Sequence, residues 1–560
     1  MNKSTQYSKL AGLTLGLLSL FACSKSFLDI TPTDTIVDAS FYKTDAQLLA
    51  GTQLLYSQVW FDYNDKASYN LGDFRGGTAY SAYNDRGNVL FNTTGETIDN
   101  GTAWRAFFIV VAQSNMAISN INAYSGEEVT ASMKKHCIAE ARFMRALAYR
   151  FLVMNWGDVP IITDNLAVMS DTTISRNTSK SVWRFITSEM RAAAADLQPT
   201  PVLPGRVTSW SAEAMLARLY LTRAGVESTG GQRNQQFLDS ARYFSERVIK
   251  NGGYTLLGNY ANLFLFPYDN NTESIFSLQW VYAPEVWGTQ NSAPAYLAYS
   301  SDIANGDGWG GDKGATFWML SLYDGFNTTT PEGNVLVGRT LDQRLKATFM
   351  LPGFSYPEIT QTIPGGEQKL IFPNNTADLS YASIKKYVTG KAKDVGGQAA
   401  SQRYGHDTYM MRLAELYLIY AEAVLGNDAE TTDPTALEYF NKVHTRSGLS
   451  KFEDPLTMDV ILKERFIEFA MEGMSWYDLV QLHYYNPQKA YSILNEQDRG
   501  LFAIVPDVFP NPTEWTITKT EWATTDRKIN ANSGNFLLPI PTTELSQAPN
   551  LRKPSVDYYQ

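Results

Sequence analysis

"LARLYLTRA" at residues 216–224 and "LAELYLIYA" at residues 413–421 agree at Leu, Ala, Leu, Tyr, Leu and Ala in identical register. In the second copy Leu413, Leu416, Tyr417, Tyr420, Ala421 and Val424 fall at i, i+3, i+4, i+7, i+8 and i+11, one wide apolar stripe along a helix. Each copy runs into a turn, Gly225 in the first and Gly426-Asn427 in the second. A second helical pattern follows each turn, at roughly 237–250 and at 434–447. The chain therefore repeats a helix–turn–helix unit at two widely separated places.

The L-A-x-x-Y spacing puts a small residue where a neighbouring helix crosses closely, and it resembles the first helix of a tetratricopeptide repeat. A third helical run covers 139–155. Such hairpins cannot bury their apolar faces alone, so they stack. Residues 252–410, between the two copies, are rich in Gly, Asn, Asp, Pro, Trp and Tyr, with short strand-like runs at 275–280 and 384–388. Residues 62–100 have the same loop-like texture. The fold class expected is mainly α: a tetratricopeptide-like helical-hairpin scaffold carrying an inserted loop-rich, partly β subdomain. The expected units are a leader (1–22), a tether (23–37), an N-terminal helical part (38–251), the insert (252–410) and a C-terminal helical part (411–560). Binding surfaces belong on loops held by a rigid frame, which points to the insert.

The leader carries Lys3 and Lys9 ahead of an eleven-residue apolar run at 10–20, LAGLTLGLLSL. That is too short for a bilayer core of about 30 Å and has the length and flanks of a secretory signal. Leu20-Phe21-Ala22-Cys23 resembles a bacterial lipobox, which makes Cys23 the lipidated first residue of the mature chain. The only other cysteine, Cys137, lies in a helical pattern and reads as a buried free thiol. The formal net charge is −10 and the leader holds two Lys and no acid, leaving about −12 on the mature chain. No basic stripe exists, which argues against nucleic acid and against electrostatic docking to anionic lipid; membrane attachment rests on the acyl chains.

Catalytic signatures are missing. The four histidines, 136, 406, 444 and 483, show no metal-ligand spacing, and there is no HExxH, GxSxG or Walker A motif. "GDGWGG" at 306–311 satisfies GxGxxG by letter, but it follows no clear strand and opens no clear helix. Glu464, Glu468 and Glu472 share one helical face, the spacing that could bring two carboxyls together as a glycosidase needs; Lys463 and Arg465 beside them make a solvated or ion-paired face the better reading. Asp and Asn within 302–312 could ligate calcium through oxygen. No catalytic residue, metal site or other cofactor is expected.

Several segments together resemble the SusD/RagB family of Bacteroidota surface lipoproteins: 27–51, 139–162 (AEARFMRALAYRFLVMNWGDVPII), 270–280, 409–423, 464–480 and 535–545. The resemblance implies a mostly helical fold with an irregular binding subdomain. It also implies a nutrient receptor on the outer membrane that holds an oligosaccharide and delivers it to a SusC-like TonB-dependent transporter. A RagB-like peptide receptor is the runner-up, and a surface glycoside hydrolase the alternative from another class. Ser475 and Gln481 stand where the family often has Arg, which implies lost surface ion pairs, and "CSKSFLD" offers only Asp29 as a surface-export acid. Flat aromatic rings suit the C–H faces of sugars, and Asn, Asp and Arg suit their hydroxyls. The expected ligand-binding residues are Asp73, Arg75, Tyr80, Tyr83, Asn84 and Asp85 in an early loop, and Trp287, Tyr296, Tyr299 and Trp309 in the insert. Trp104, Trp156, Trp280 and Trp318 read as core.

Overall fold

The computed structural model describes residues 38–559 apart from 83–85, 170, 374–381 and 521–527. Cys23 and the leader lie outside the described residues. Seven long helices form the scaffold: α1 (Ile98–Tyr124), α2 (Ala131–Trp156), α3 (Ser179–Asp196), α4 (Ser209–Val226), α5 (Gln235–Asn251), α6 (Leu413–Leu425) and α7 (Pro434–Arg446). Each packs against the next, in chain order. Side chains fix their starts by accepting orphan backbone N–H groups: Thr178 from Ser181, Thr208 from Ser211, Asn234 from Phe237, and Asp433 from Thr435 and Ala436. Three further helices, α8 (Met458–Phe469), α9 (Ser475–His483) and α10 (Pro487–Glu496), close the bundle.

The repeated motif does the same work in both copies. Leu216, Ala217, Leu413 and Ala414 are all buried. The repeat tyrosine packs on an aromatic of the following helix: Tyr220 stacks with Phe237 and Phe244 at 5.7 and 5.6 Å, and Tyr417 meets Tyr439 at 5.1 Å. The α5–α6 contact matters most, because residues 252–412 separate the two helices in the chain. The insert is thus a long excursion between two adjacent helices of the stack.

The insert has its own core, and residues outside 252–410 complete it. One antiparallel sheet joins Phe326–Thr328, Val335–Gly338, Trp515–Lys519 and Phe502–Pro506. Another runs Ala79–Ser81, Lys313–Ala315, Ser383–Ile384 and Phe349–Met350. The run expected at 275–280 forms Ser274–Leu278, paired with Thr408–Arg412. The run expected at 384–388 pairs only over Ser383–Ile384, because the chain turns away at Tyr387, whose φ is 65°. Within 62–100 the first part is not the loop expected: Tyr63–Phe74 winds as a wide, π-type helix that is almost wholly buried.

A buried ionic cluster joins insert to scaffold. Arg412 Nη1 reaches Glu273 at 2.6 Å and Glu468 at 3.0 Å; Arg412 Nη2 reaches Glu472 at 2.8 Å. Arg344 bonds Asp342, Glu464 and Glu468, Arg446 bonds Glu273 and Glu468, and Lys386 bonds Glu472. All of these side chains are nearly or fully buried, so each charge relies on its partners rather than on water.

Candidate functional site

The early stretch serves the fold. Asp73 Oδ1 accepts from Met471 N at 2.7 Å, and Oδ2 accepts from Gly473 N at 2.9 Å. Thr78 Oγ1 also donates to Oδ1. The carboxylate thereby ties down the turn between α8 and α9, where Met471 and Gly473 have φ of 64° and 70°. Burial pushes the Asp73 carboxyl up to about 7, opposed by those same donors. Arg75 Nη2 donates to the carbonyls of Asn535 and Phe536 at 2.6 and 2.9 Å, and its guanidinium lies over Phe91 and Trp476. Tyr80 is buried on the strand Ala79–Ser81. The expectation of ligand contact at Asp73, Arg75 and Tyr80 is corrected accordingly, since all three side chains are inside. Tyr83, Asn84 and Asp85 lie outside the described residues.

The second stretch makes a surface. Among the described tryptophans only Trp287 and Trp309 are exposed, at 53% and 58%; Trp104, Trp156 and Trp280 are buried and Trp318 is half-buried. Trp287 sits on a loop whose base is closed by Val281 N donating to Thr289 O at 2.9 Å. Its indole meets the edge of Phe61 at 5.6 Å and carries the Arg403 guanidinium at 5.2 Å. Neither partner was among the expected residues. Phe61 sits in an apolar run and Arg403 is far along the chain, so no local signal singles them out.

Trp309 is placed by backbone. Its N–H donates to Ala295 O at 3.0 Å, Gly310 N donates to Ala298 O at 2.8 Å, and Lys313 Nζ donates to Trp309 O at 2.9 Å. A Cβ on Gly310 would stand 2.1 Å from Leu297 O, and one on Gly308 2.4 Å from the Ser300 carbonyl carbon. The glycines of "GDGWGG" therefore permit close backbone approach, which leaves the indole outside. Tyr296 and Tyr299 lie below: Tyr296 is buried beside Tyr69 with Lys313 Nζ 4.5 Å from its ring, and Tyr299 is half-buried against Phe372.

The floor of the surface is the wide helix. Asn64 Nδ2 donates to Asn291 Oδ1 at 2.8 Å and Ser292 Oγ to Asp65 Oδ1 at 2.6 Å. Asn291 Nδ2 donates in turn to His406 O at 2.7 Å. The result is two outward indole rings on a rigidly bonded base. Flat apolar faces of this kind stack with flat apolar ligand faces.

The candidate carboxylates are elsewhere and engaged. The face of Glu464, Glu468 and Glu472 is ion-paired as expected but buried rather than solvated. Ser475 is buried and Gln481 bonds Glu422 and Thr222, so neither marks a lost surface pair. Cys137 is a buried free thiol, its pKa pushed up to about 12 by burial. In the 302–312 stretch, Asp312 is held by Lys313 Nζ at 2.7 Å and by Ser81 Oγ at 3.0 Å. Among the described residues no three His, Cys, Asp or Glu side chains gather as a metal-binding group.

Two family models match the chain: "SusD family" over residues 272–558, and "Starch-binding associating with outer membrane" over residues 27–221. A SusD-like protein of Bacteroides ovatus is 33% identical over 98% of both chains. A solved structure described as being with xylogluco-oligosaccharide is 31% identical, covers 92% of this chain and 99% of its own, and superposes with a TM-score of 0.79. A SusD-like protein of Bacteroides fragilis shares the fold at 20% identity, with a TM-score of 0.67 over 93% of this chain and 99% of its own. Among the described residues no helix is long and apolar enough to cross a membrane. From the interrupted helical stack, the tied insert and these matches, the chain belongs to the SusD/RagB family.

Proposed function

We propose that this chain is a non-catalytic glycan receptor, anchored to the outer membrane by lipid on Cys23 and facing the cell exterior. It captures an oligosaccharide and passes it to a SusC-like TonB-dependent transporter. The observation that carries the reading is the pair of exposed indoles, Trp287 and Trp309, on a base tied by Asn64–Asn291 and Asp65–Ser292 hydrogen bonds. A relative 31% identical whose structure is described with xylogluco-oligosaccharide supports a glycan as the ligand class.

Calorimetry with xylogluco-oligosaccharides, starch-type and β-glucan oligosaccharides, and mixed peptides tests it. Stacking one sugar on an indole face buries about 60 Å² on each partner, so Trp287→Ala or Trp309→Ala should weaken binding by about 2–3 kcal/mol, about 30- to 150-fold. Binding to peptides and to no glycan would replace this reading with the peptide receptor. New reducing ends released from a bound glycan would replace it with the hydrolase. Mass spectrometry of detergent-extracted protein should find Cys23 acylated at the mature N-terminus; a free thiol there removes the anchor.

A further inference from the structure

A second aromatic site lies off the platform. Trp210, half-buried at the start of α4, lines a cavity of about 550 Å³ together with Tyr254 and Asn271. Its indole is backed by the Arg247 guanidinium at 5.6 Å, which Glu213 holds at 2.8 Å. Trp287 is backed in the same way by Arg403 at 5.2 Å. A guanidinium within about 6 Å of an indole is attracted to the ring and helps hold it in place.

The cavity's chemistry suits a neutral sugar. Arg206, the cation in its wall, is neutralised by Glu140 at 2.8 Å inside the protein. Asn270 and Gln279 form a reciprocal amide pair at the rim, at 2.9 and 3.2 Å. The lining therefore offers aromatic side chains, amides and hydroxyls, with no unneutralised charge among the described residues.

The cavity and the platform share one stretch of chain. Ser274, Ile275, Phe276 and Ser277 line the cavity, and their strand runs on through Trp280 into the Trp287 loop. Ten residues from Ser277 to Trp287 span at most about 36 Å, within reach of one extended polysaccharide chain.

We propose that this cavity is a second glycan subsite, in which Trp210 stacks a neutral pyranose of the polysaccharide whose other units lie on Trp287 and Trp309. The inference rests on the glycan-receptor reading. A second contact on one ligand raises apparent affinity through local concentration, without strengthening either contact alone. Long chains should therefore gain from it and short ones should not.

The test is calorimetry with polymeric xyloglucan, mixed-linkage β-glucan and starch, each paired with its short oligosaccharide. Trp210→Ala should weaken polymer binding about tenfold or more and leave the oligosaccharide unchanged. Leu203→Arg, made on an exposed side chain at the cavity wall, should do the same without touching the packed indole. Polymer binding by both variants as tight as the unaltered chain overturns the subsite. So does an equal loss on short and long ligands, which would mean a single site. An unaltered chain that binds none of the six ligands sinks the receptor reading, and this inference with it.

Discussion

Glu468→Gln separates a structural carboxylate from a catalytic one. Glu468 is completely buried; its Oε1 is 3.0 Å from Arg412 and also bonds Arg446, and its Oε2 is 3.2 Å from Arg344. Burial by itself would raise its pKa, but Arg446, Arg412 and Arg344 overcome that and hold the carboxyl well below its usual range. Glutamine keeps the shape and removes the charge. Breaking a buried pair costs about 3–5 kcal/mol, and the lower end applies here because each arginine keeps another acid. With about 2.1 cal/mol/K of unfolding entropy per residue, 3 kcal/mol over 560 residues is about 2.5 °C in a single transition. The shift is larger if the insert unlocks alone. The folded pKa is depressed, so the stabilisation is full above the unfolded value near 4.5 and is lost as pH falls through the folded value. The gap between the two proteins should hold from pH 7 to 5 and narrow below 4.5. Calorimetric melting across that range, with glycan affinity at pH 7, makes the measurement. An unchanged melting temperature would refute the reasoning, and new reducing ends released by the unaltered chain but not by the variant would make Glu468 catalytic.

Two other substitutions probe the frame. The Asp73 carboxyl is raised from 3.8 to about 7, so its folded form holds a proton more tightly and its contribution to stability falls as pH rises between those values. Asp73→Asn should flatten that part of the stability profile in urea titrations at stepped pH, and an unchanged slope would mean the carboxyl stays ionised. Gly310→Ala puts a Cβ 2.1 Å from Leu297 O, so the 306–311 segment must lift. Glycan affinity should drop to the level of Trp309→Ala with helical circular dichroism intact, whereas full affinity would show that the exact seat of Trp309 is unimportant.

The helical stack was legible because its evidence is local. The repeat positions recur every three or four residues, and their tyrosines, Tyr220 and Tyr417, find aromatic partners on the next helix. The exposure of Trp287 and Trp309 was legible for a related reason: a large ring amid Gly, Asn and Pro has few local partners with which to build a core. Asp73 and Arg75 misled because glycine beside polar residues reads as loop. In the structure Gly72 is needed because a Cβ there would be 2.3 Å from Gly473 Cα, so that glycine marks close packing of the wide helix against the α8–α9 turn. The acidic face of α8 was read correctly as ion-paired and wrongly as solvated, because its partners Arg344, Arg412 and Arg446 come from three other elements. Such partners have no signature in the residues around Glu468.

The same division of labour separates the exposed rings from the bonds that hold them in place. Asn64 bonds Asn291 and Asp65 bonds Ser292 at the base, and Glu273, Arg344 and Lys386 of the insert are ion-paired to Arg412 before α6, to Arg446 of α7 and to Glu464, Glu468 and Glu472 on and just after α8. These bonds order part of the base before any ligand arrives, which lowers one of the main penalties of binding. The groups left outside are the two indoles and the turns that bear them. Substitutions at 281–289 or 305–309 can then change which ligand face is met while the buried bonds below stay as they are. By contrast, a substitution at Glu468 or Asp73 acts first on stability, and reaches the ligand only by loosening the floor.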